Sequence, residues 1–220
     1  MIDNAKIADY LDSLFPGNSD LIESIRTAAL EMDMPIIRRE GEVFLRTLLR
    51  LKCPKRILEI GTCVGYSAII MADATADYQS EIITLEIGEA DYKMALGFID
   101  KAGYANRITC MNCDATDELK RLVADGEKFD FIFMDAAKAQ YVNWLSDIEK
   151  LTDKGAILLS DNVLHDGDIA ESRFAVERRD RTIHSRLREY LWELTHSSKW
   201  TTSVMNVADG MSLSIREEDK

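Results

Sequence analysis

Short apolar runs alternate with amphipathic stretches over most of the chain, and this alternation constrains the fold more than any other feature. Strands are predicted at 56–60, 81–86, 107–112, 129–135 and 155–162, and helices at 65–75, 91–103, 117–126, 141–151 and about 173–197. Two more strands, 201–207 and 211–217, flank the turn sequence ADG and indicate a hairpin. Apolar strands that alternate with helices predict a mostly parallel sheet covered on both faces. We therefore expect an α/β, Rossmann-like fold with a seven-stranded sheet and a C-terminal antiparallel hairpin.

Residues 1–50 contain helical patterns only, namely IADYLDSLF, LIESIRTAALEMD and EGEVFLRTLLRLK, with turn signals at Pro16-Gly17 and near Pro35. A chain of 220 residues without repeats or linkers fits one large domain. We expect a single domain over 1–220, in which residues 1–50 form a helical cap and residues 51–220 form the Rossmann-like core.

Composition narrows the class of protein. No run approaches the ~18 apolar residues of a membrane span, and the acidic residues near the N-terminus do not fit a signal peptide. The four cysteines fit a reducing compartment, so we expect a cytoplasmic protein without membrane contact. Cys110 and Cys113 lack the second pair that a zinc site needs, and are interpreted as ordinary thiols. The net charge of −12 is unfavourable for nucleic-acid binding, although 173–188 contains six arginines.

Two predicted strands end in oxygen-bearing side chains. Asp135 follows the strand FDFIFM, and Asp161 and Asn162 follow AILLS. The carboxyl ends of parallel strands meet at one edge of the sheet, where open sheets bind ligands. Oxygen ligands of this kind suit Mg²⁺ or a similar divalent cation, although the same residues also cap turns and helices. Lys138, one turn beyond Asp135, is a candidate general base, because a nearby dication disfavours a protonated amine.

The turn after the first strand has the sequence LEIGTCVGYSAI. Its spacing differs from the G-x-G-x-x-G of dinucleotide sites, and it has no Gly-Lys-Ser/Thr for a nucleoside triphosphate. Gly61 and Gly65 allow close approach of the backbone to a ligand. An acid at Glu59 would repel a pyrophosphate but suits the cationic S-adenosylmethionine. Ser67, at the start of the next helix, is a candidate for the amino-acid end of that cofactor.

Two further strand ends complete the predicted cofactor site. Glu86 ends the second strand, about 20 residues beyond the glycines, where an acid accepts the hydroxyls of a ribose. Asp114 and Ala115 follow the third strand, where an adenine amino group would lie. Each signal is weak alone, and their placement at successive strand ends makes the combined pattern specific.

LEIGTCVGYSAI, MDAAKAQY and SDNVL together resemble the cation-dependent class I O-methyltransferases of the catechol and caffeoyl-coenzyme A type, from about residue 35 to the C-terminus. The resemblance implies a metal on Asp135, Asp161 and Asn162, a cofactor contact at Asp135, and Lys138 as the base. MPII, DNVL, the arginine-rich helix and VADGMSLSI are most similar to bacterial tRNA 5-hydroxyuridine methyltransferases. That likeness implies a backbone contact to the cofactor at Ile37, and the tRNA anticodon loop as partner. Relatives of this architecture imply a homodimer.

The resulting expectation is transfer of the methyl group of S-adenosylmethionine to a hydroxyl with a vicinal oxygen. A divalent cation holds two adjacent oxygens and lowers the pKa of the hydroxyl. The main expectation is the wobble 5-hydroxyuridine of tRNA, with the arginines of 173–188 as a local basic surface. The alternative is a small catechol or hydroxycinnamoyl-type phenol, which presents the same pair of oxygens. A nicotinamide-dependent oxidoreductase and a non-catalytic binding protein are disfavoured by the glycine spacing and by the intact acids and lysine.

Overall fold

The computed structural model describes residues 6, 10–11 and 13–218, so the first predicted helix lies partly outside the described residues. The strands are β1 (Arg56–Ile60), β2 (Glu81–Glu86), β3 (Ile108–Asn112), β4 (Phe129–Met134), β5 (Thr152–Ser160), β6 (Trp200–Met205) and β7 (Met211–Arg216). The helices from residue 20 onward are α1 (Asp20–Glu31), α2 (Arg39–Lys52), α3 (Tyr66–Ala74), α4 (Glu89–Lys101), α5 (Ala115–Ala124), α6 (Tyr141–Lys150) and α7 (Arg181–His196). Short 3-10 turns cover Lys138–Gln140 and His165–Ala170.

The strands form one seven-stranded sheet in the order β3-β2-β1-β4-β5-β7-β6. The pairs among β1 to β5 are parallel, whereas β7 runs antiparallel to both β5 and β6. The predicted mostly parallel sheet with a C-terminal antiparallel hairpin is therefore confirmed. The order reverses between β1 and β4, which places the ligand crevice of such sheets at the carboxyl ends of these strands.

Side chains alternate between the two faces of the sheet, as the pleat requires. Ile57, Phe131 and Phe133 pack in one apolar cluster, which contains buried residues of α1 to α4. Leu58 and Ile132, their chain neighbours, pack in a second cluster, which contains residues of α5 to α7. The sheet is thus covered on both faces, and only its edges and strand ends are open to ligands.

The predicted helix at about 173–197 is shorter than expected, because α7 begins at Arg181 and residues 173–180 form turns. Val176 is the only buried side chain between Arg173 and Asp180, and Phe174 is exposed. Without an apolar stripe to bury, the charged run has no packing that would stabilise a helix. Within the described residues, no helix combines the length and apolar character needed to span a bilayer.

Candidate active site

The carboxyl edge of the sheet contains a cleft with two compartments that share Gly61, Cys63, Asp135 and Ala136. One compartment, of about 450 Å³, contains the predicted metal ligands and is called the acidic compartment here. The other, of about 340 Å³, lies over the ends of β2 and β3 and is called the Glu86 compartment. The predicted residues Ile37, Ser67, Lys138, Asp161 and Asn162 line the first, and Glu86, Asp114 and Ala115 line the second.

Gly61 forms the partition between the compartments. Its φ of 103° lies in the region that favours glycine, and a Cβ there would lie 1.9 Å from the carbonyl oxygen of Asp135. Gly65 has a different task, because its φ is 81° and a Cβ would approach Ala95 of α4 at 3.2 Å. Gly65 lines neither compartment. The predicted contact between Gly65 and the cofactor stays a prediction, and the structure shows a packing role.

Backbone amides hold the carboxylate of Glu86. The amide of Cys63 donates to one carboxylate oxygen and that of Gly88 to the other, both at 2.7 Å. Two more amides of the glycine turn donate to the carbonyl of Leu85. The turn after β1 is thereby bound to the end of β2, and the Glu86 carboxylate is fixed at the compartment wall.

The far end of the Glu86 compartment is the start of α5. Asp114 is the N-cap residue, and its Oδ1 accepts the amide of Thr116 at 2.7 Å. Trp144 of α6 donates its indole N–H to the Thr116 hydroxyl at 3.2 Å and presents an apolar wall. An anchored acid, a capped helix start and an indole ring make this compartment suitable for a nucleoside.

Glu59 lies behind the cleft and lines neither compartment. Its carboxyl group is fully buried on the α3 side of the sheet and accepts hydrogen bonds from Ser67 Oγ and Thr84 Oγ1. Burial raises the pKa of Glu59 to about 8, although both hydroxyls act in the opposite direction. Direct contact of Glu59 with the cofactor stays a prediction, and in this structure Ser67 is the residue of the pair that reaches the cleft.

The predicted metal ligands converge beyond the last paired residues of β4 and β5. The amide of Asp135 donates to the carbonyl of Ile60, and that of Asp161 donates to the carbonyl of Met134, which fixes both acids at the sheet edge. Asp161 is only 3% exposed. Burial, followed by the negative charge of Asp135, raises the pKa of Asp161 to about 7. Asn162 adopts a left-handed φ of 55°, a conformation that asparagine tolerates.

This donor set fits a hard divalent cation. Among the described residues, no group of three or more His, Cys, Asp or Glu side chains is placed to hold a metal. A cation here would therefore rely on the amide oxygen of Asn162 beside two carboxylates. After burial, the negative charge of Asp135 is the largest cause of the raised pKa of Asp161. A dication would compensate that charge, and an all-oxygen set suits Mg²⁺ better than zinc.

Lys138 starts the short 3-10 turn after β4, at the predicted spacing from Asp135. Its Nζ lies 2.8 Å from Asp135 Oδ1, and both side chains are 22% exposed. The ammonium therefore lies beside the predicted metal ligands and lines the same compartment as Ile37. The backbone of Ile37 is fixed by a side chain of α1, because Arg26 donates a hydrogen bond to its carbonyl oxygen at 3.1 Å.

Sequence reasoning missed two charged residues of the acidic compartment, Arg38 and Asp209. They form an ion pair of 2.7 Å, and Asp209 Oδ2 accepts from the side-chain amide of Asn162 at 3.2 Å. Asp209 belongs to the ADG sequence, which indicates a hairpin turn and is part of the VADGMSLSI resemblance, but neither pattern assigns the residue to the site. The missing signal was the position of that turn, which the sheet order sets beside the end of β5.

The arginine-rich segment is partly neutralised by its own surroundings. Arg179 pairs with Glu177 and Asp180, and Arg186 pairs with Glu189. Arg188 donates to the carbonyl of Ile169 at 2.8 Å. These three of the six arginines thus already have acidic or carbonyl partners close to them in the chain, which weakens the case for a broad basic surface.

Comparisons with known proteins agree on one family. A family model described as O-methyltransferase matches residues 18–217. The catechol O-methyltransferase of Niastella koreensis is 33% identical over 166 residues, which cover 74% of this chain and 74% of that protein. The caffeoyl-CoA O-methyltransferase of Populus kitakamiensis is 29% identical over 217 residues, covering 94% and 91%.

Solved structures give the same result. The O-methyltransferase TomG from Streptomyces achromogenes, solved in complex with S-adenosylmethionine, has a TM-score of 0.84 and 25% identity. The superposition covers 99% of this chain and 100% of that chain. The predicted family and Rossmann-like methyltransferase fold are confirmed, and these comparisons give no support to an oxidoreductase.

Proposed function

The chain belongs to the O-methyltransferase family and uses S-adenosylmethionine, and we propose that it methylates a small phenol with two vicinal oxygens in a cation-dependent reaction. The observation that carries the proposal is the convergence of Asp135, Asp161, Asn162 and Lys138 in one compartment, next to a second compartment suited to a nucleoside. The comparisons support the catechol-type alternative of the sequence analysis better than its tRNA expectation.

The two compartments divide the binding tasks. In the proposal, Glu86 accepts the ribose hydroxyls of the cofactor, and Asp114 and Ala115 meet its adenine. Ser67 binds the amino-acid end, beside the backbone of Ile37. S-Adenosylmethionine, when bound, supplies an electrophilic methyl group on its sulfonium. The shared wall at Gly61 and Asp135 brings that end of the cofactor site next to the acidic compartment.

Asp135, Asp161 and Asn162 would hold a cation such as Mg²⁺. When bound, it would polarise two adjacent substrate oxygens and favour loss of a hydroxyl proton. Lys138, in its neutral amine form, would then accept that proton at Nζ and become an ammonium, and the resulting oxygen nucleophile would attack the methyl group of the cofactor. The contact of 2.8 Å between Lys138 Nζ and Asp135 Oδ1 supports the position of the base beside the metal ligands. A dication bound by Asp135 would replace this partner of the ammonium and favour the neutral amine that the reaction requires.

The substrate is tested by parallel reactions with methyl-labelled S-adenosylmethionine and Mg²⁺. One reaction contains catechol, one contains a hydroxycinnamoyl thioester, and one contains tRNA with 5-hydroxyuridine at the wobble position. We expect label in a small phenol, and loss of label with EDTA or in Asp161→Ala. Label in tRNA alone would contradict the proposal and restore the wobble uridine, which carries the same pair of oxygens.

Assembly as a homodimer also stays a prediction. Light scattering of the purified protein would test it directly, because a dimer has twice the chain mass of 24.9 kDa. A mass near that of one chain at assay concentration would contradict it.

A further inference from the structure

The turn between β6 and β7 is docked on the loop that carries two predicted metal ligands. The amide of Val163 donates to the carbonyl of Gly210 at 2.9 Å, and the amide of Leu164 donates to the carbonyl of Asp209 at 3.3 Å. Gly210 has a φ of 89°, and a Cβ there would lie 2.3 Å from Leu164 Cγ. Backbone hydrogen bonds and close packing therefore hold the 207–210 turn against the loop after Asn162.

This docking places the Asp209 carboxylate against the side chain of Asn162, at 3.2 Å from Nδ2. A carboxylate accepts hydrogen bonds and cannot donate them, so the group of Asn162 that faces Asp209 must be its NH₂. The amide oxygen then points away from Asp209. Asp209 thus selects one of the two orientations of the Asn162 amide, because a carboxylate pairs with its NH₂ group and not with its oxygen.

Arg38 holds Asp209 from the other side. Its guanidinium lies 2.7 Å from Asp209 Oδ1, while Asn162 contacts Oδ2, so the two carboxylate oxygens have different partners. The Asp209 side chain is 19% exposed and that of Arg38 is 58% exposed, and both residues line the acidic compartment. Arg38 is also the N-cap residue of α2, directly after Ile37. The contact therefore joins the segment before α2, the β6–β7 turn and the metal loop.

We infer that Asp209 is a positioning residue, which turns the amide oxygen of Asn162 into the acidic compartment, and that Arg38 keeps Asp209 in place. The inference rests on the proposed function, because it assigns Asn162 as a cation ligand. Ligands whose outer partners are removed lose about 10- to 100-fold in metal affinity, and Asp209 has the contact typical of such a partner.

The test measures Mn²⁺ binding to the full-length protein by electron paramagnetic resonance, with S-adenosylhomocysteine present and no turnover. We expect Asp209→Ala to weaken Mn²⁺ binding by about 10- to 100-fold. Asp209→Asn retains an acceptor for the Asn162 amide and should lose clearly less. Asp168→Ala removes an acid that lines neither compartment and lies 3.4 Å from His165 Nδ1, and it serves as the control with unchanged affinity. Thermal melting of each variant verifies that it is folded.

A double-mutant cycle separates positioning from the mere loss of negative charge. If Asp209 acts through Asn162, Asp209→Ala should change the affinity by less than about threefold in an Asn162→Ala background. Equal losses in both backgrounds, or equal losses for Asp209→Ala and Asp209→Asn, would overturn the inference. Unchanged binding in Asp209→Ala would also overturn it. If the wild-type protein and Asp161→Ala bind Mn²⁺ equally weakly, the proposed cation site itself is contradicted. If only Asp161→Ala loses binding and Asp209→Ala does not, the cation site stands and the positioning role of Asp209 is contradicted.

Discussion

Replacing Glu59 with glutamine tests whether the acid at the end of β1 is neutral inside the folded protein. Its carboxyl group is fully buried between Ser67 and Thr84, and burial raises its pKa from the ordinary 4.5 to about 8. Glutamine has nearly the same shape and has no proton to lose in this range. The substitution therefore imitates the neutral carboxyl group at every pH.

The raised pKa of Glu59 makes the free energy of unfolding depend on pH. Below pH 4.5 the group is protonated in both the folded and the unfolded chain, and the free energy does not change with pH. Between pH 4.5 and about 8 the folded chain retains a proton that the unfolded chain has released, so stability falls as pH rises. At about 1.4 kcal/mol per pH unit, the whole loss is about 5 kcal/mol, of which about 3 kcal/mol falls between about pH 5.5 and about pH 8.5.

Urea denaturation at about pH 5.5 and about pH 8.5 measures this difference. The control is Glu81→Gln, which makes the same chemical change at a side chain that is 80% exposed. We expect the wild type and Glu81→Gln to lose about 3 kcal/mol more than Glu59→Gln between the two pH values. A Glu59→Gln profile parallel to that of the wild type would refute the reasoning, since it would mean that Glu59 is ionised in the folded protein.

Three further predictions concern the cleft. Gly61→Ala should lower kcat/KM by about 100-fold, because a Cβ 1.9 Å from the Asp135 carbonyl oxygen must displace that wall; normal kinetics in a folded variant would contradict this. Lys138→Met should lower kcat by about 10²- to 10⁴-fold while calorimetry shows unchanged binding of S-adenosylhomocysteine. An equal loss of affinity would indicate a binding role instead. Mg²⁺ at about 100 times its Kd should stabilise the wild type by about 2.7 kcal/mol in a thermal melt, and Asp161→Ala should show no such gain.

The strand ends were predictable because parallel strands share a direction. Asp135 and Asp161 each follow the last paired residue of their strands, Met134 and Ser160, which are themselves partners in the ladder. Two acids at equivalent points of neighbouring parallel strands must meet at the sheet edge. Apolar runs followed by acids therefore carried enough information to predict the acidic corner, and to predict Glu86 at the end of β2.

Asp209 was not predictable, because its position depends on which strand the hairpin joins. The sequence indicates a hairpin but does not show that β7 pairs with β5, with Ser160 opposite Ser212. Because β7 runs antiparallel to β5, it starts at the edge of the sheet where β5 ends. The turn before β7 therefore lies at the carboxyl edge, beside Asn162. Arg38 is separated from Asp209 by most of the chain, and their ion pair becomes evident only in the folded structure.

Glu59 and Asp161 show that an acid near a strand end can be given a role only when the direction of its side chain is known. Burial raises the pKa of both carboxyl groups. Glu59 is inside β1 and shares its face with Ile57, two residues earlier, so its side chain points towards α3 and finds only hydroxyl donors. Asp161 lies beyond β5 and lines the acidic compartment together with Asp135. The negative charge of Asp135 raises the pKa of both groups, but for Asp161 it is the largest cause after burial, whereas for Glu59 it follows burial and the two hydroxyl donors. A cation in the cleft would counteract that charge at Asp161. A raised pKa alone therefore assigns no role. The hydroxyl partners of Glu59 suit a structural group, whereas the compartment that Asp161 shares with Asp135 supports the proposal that Asp161 is a metal ligand.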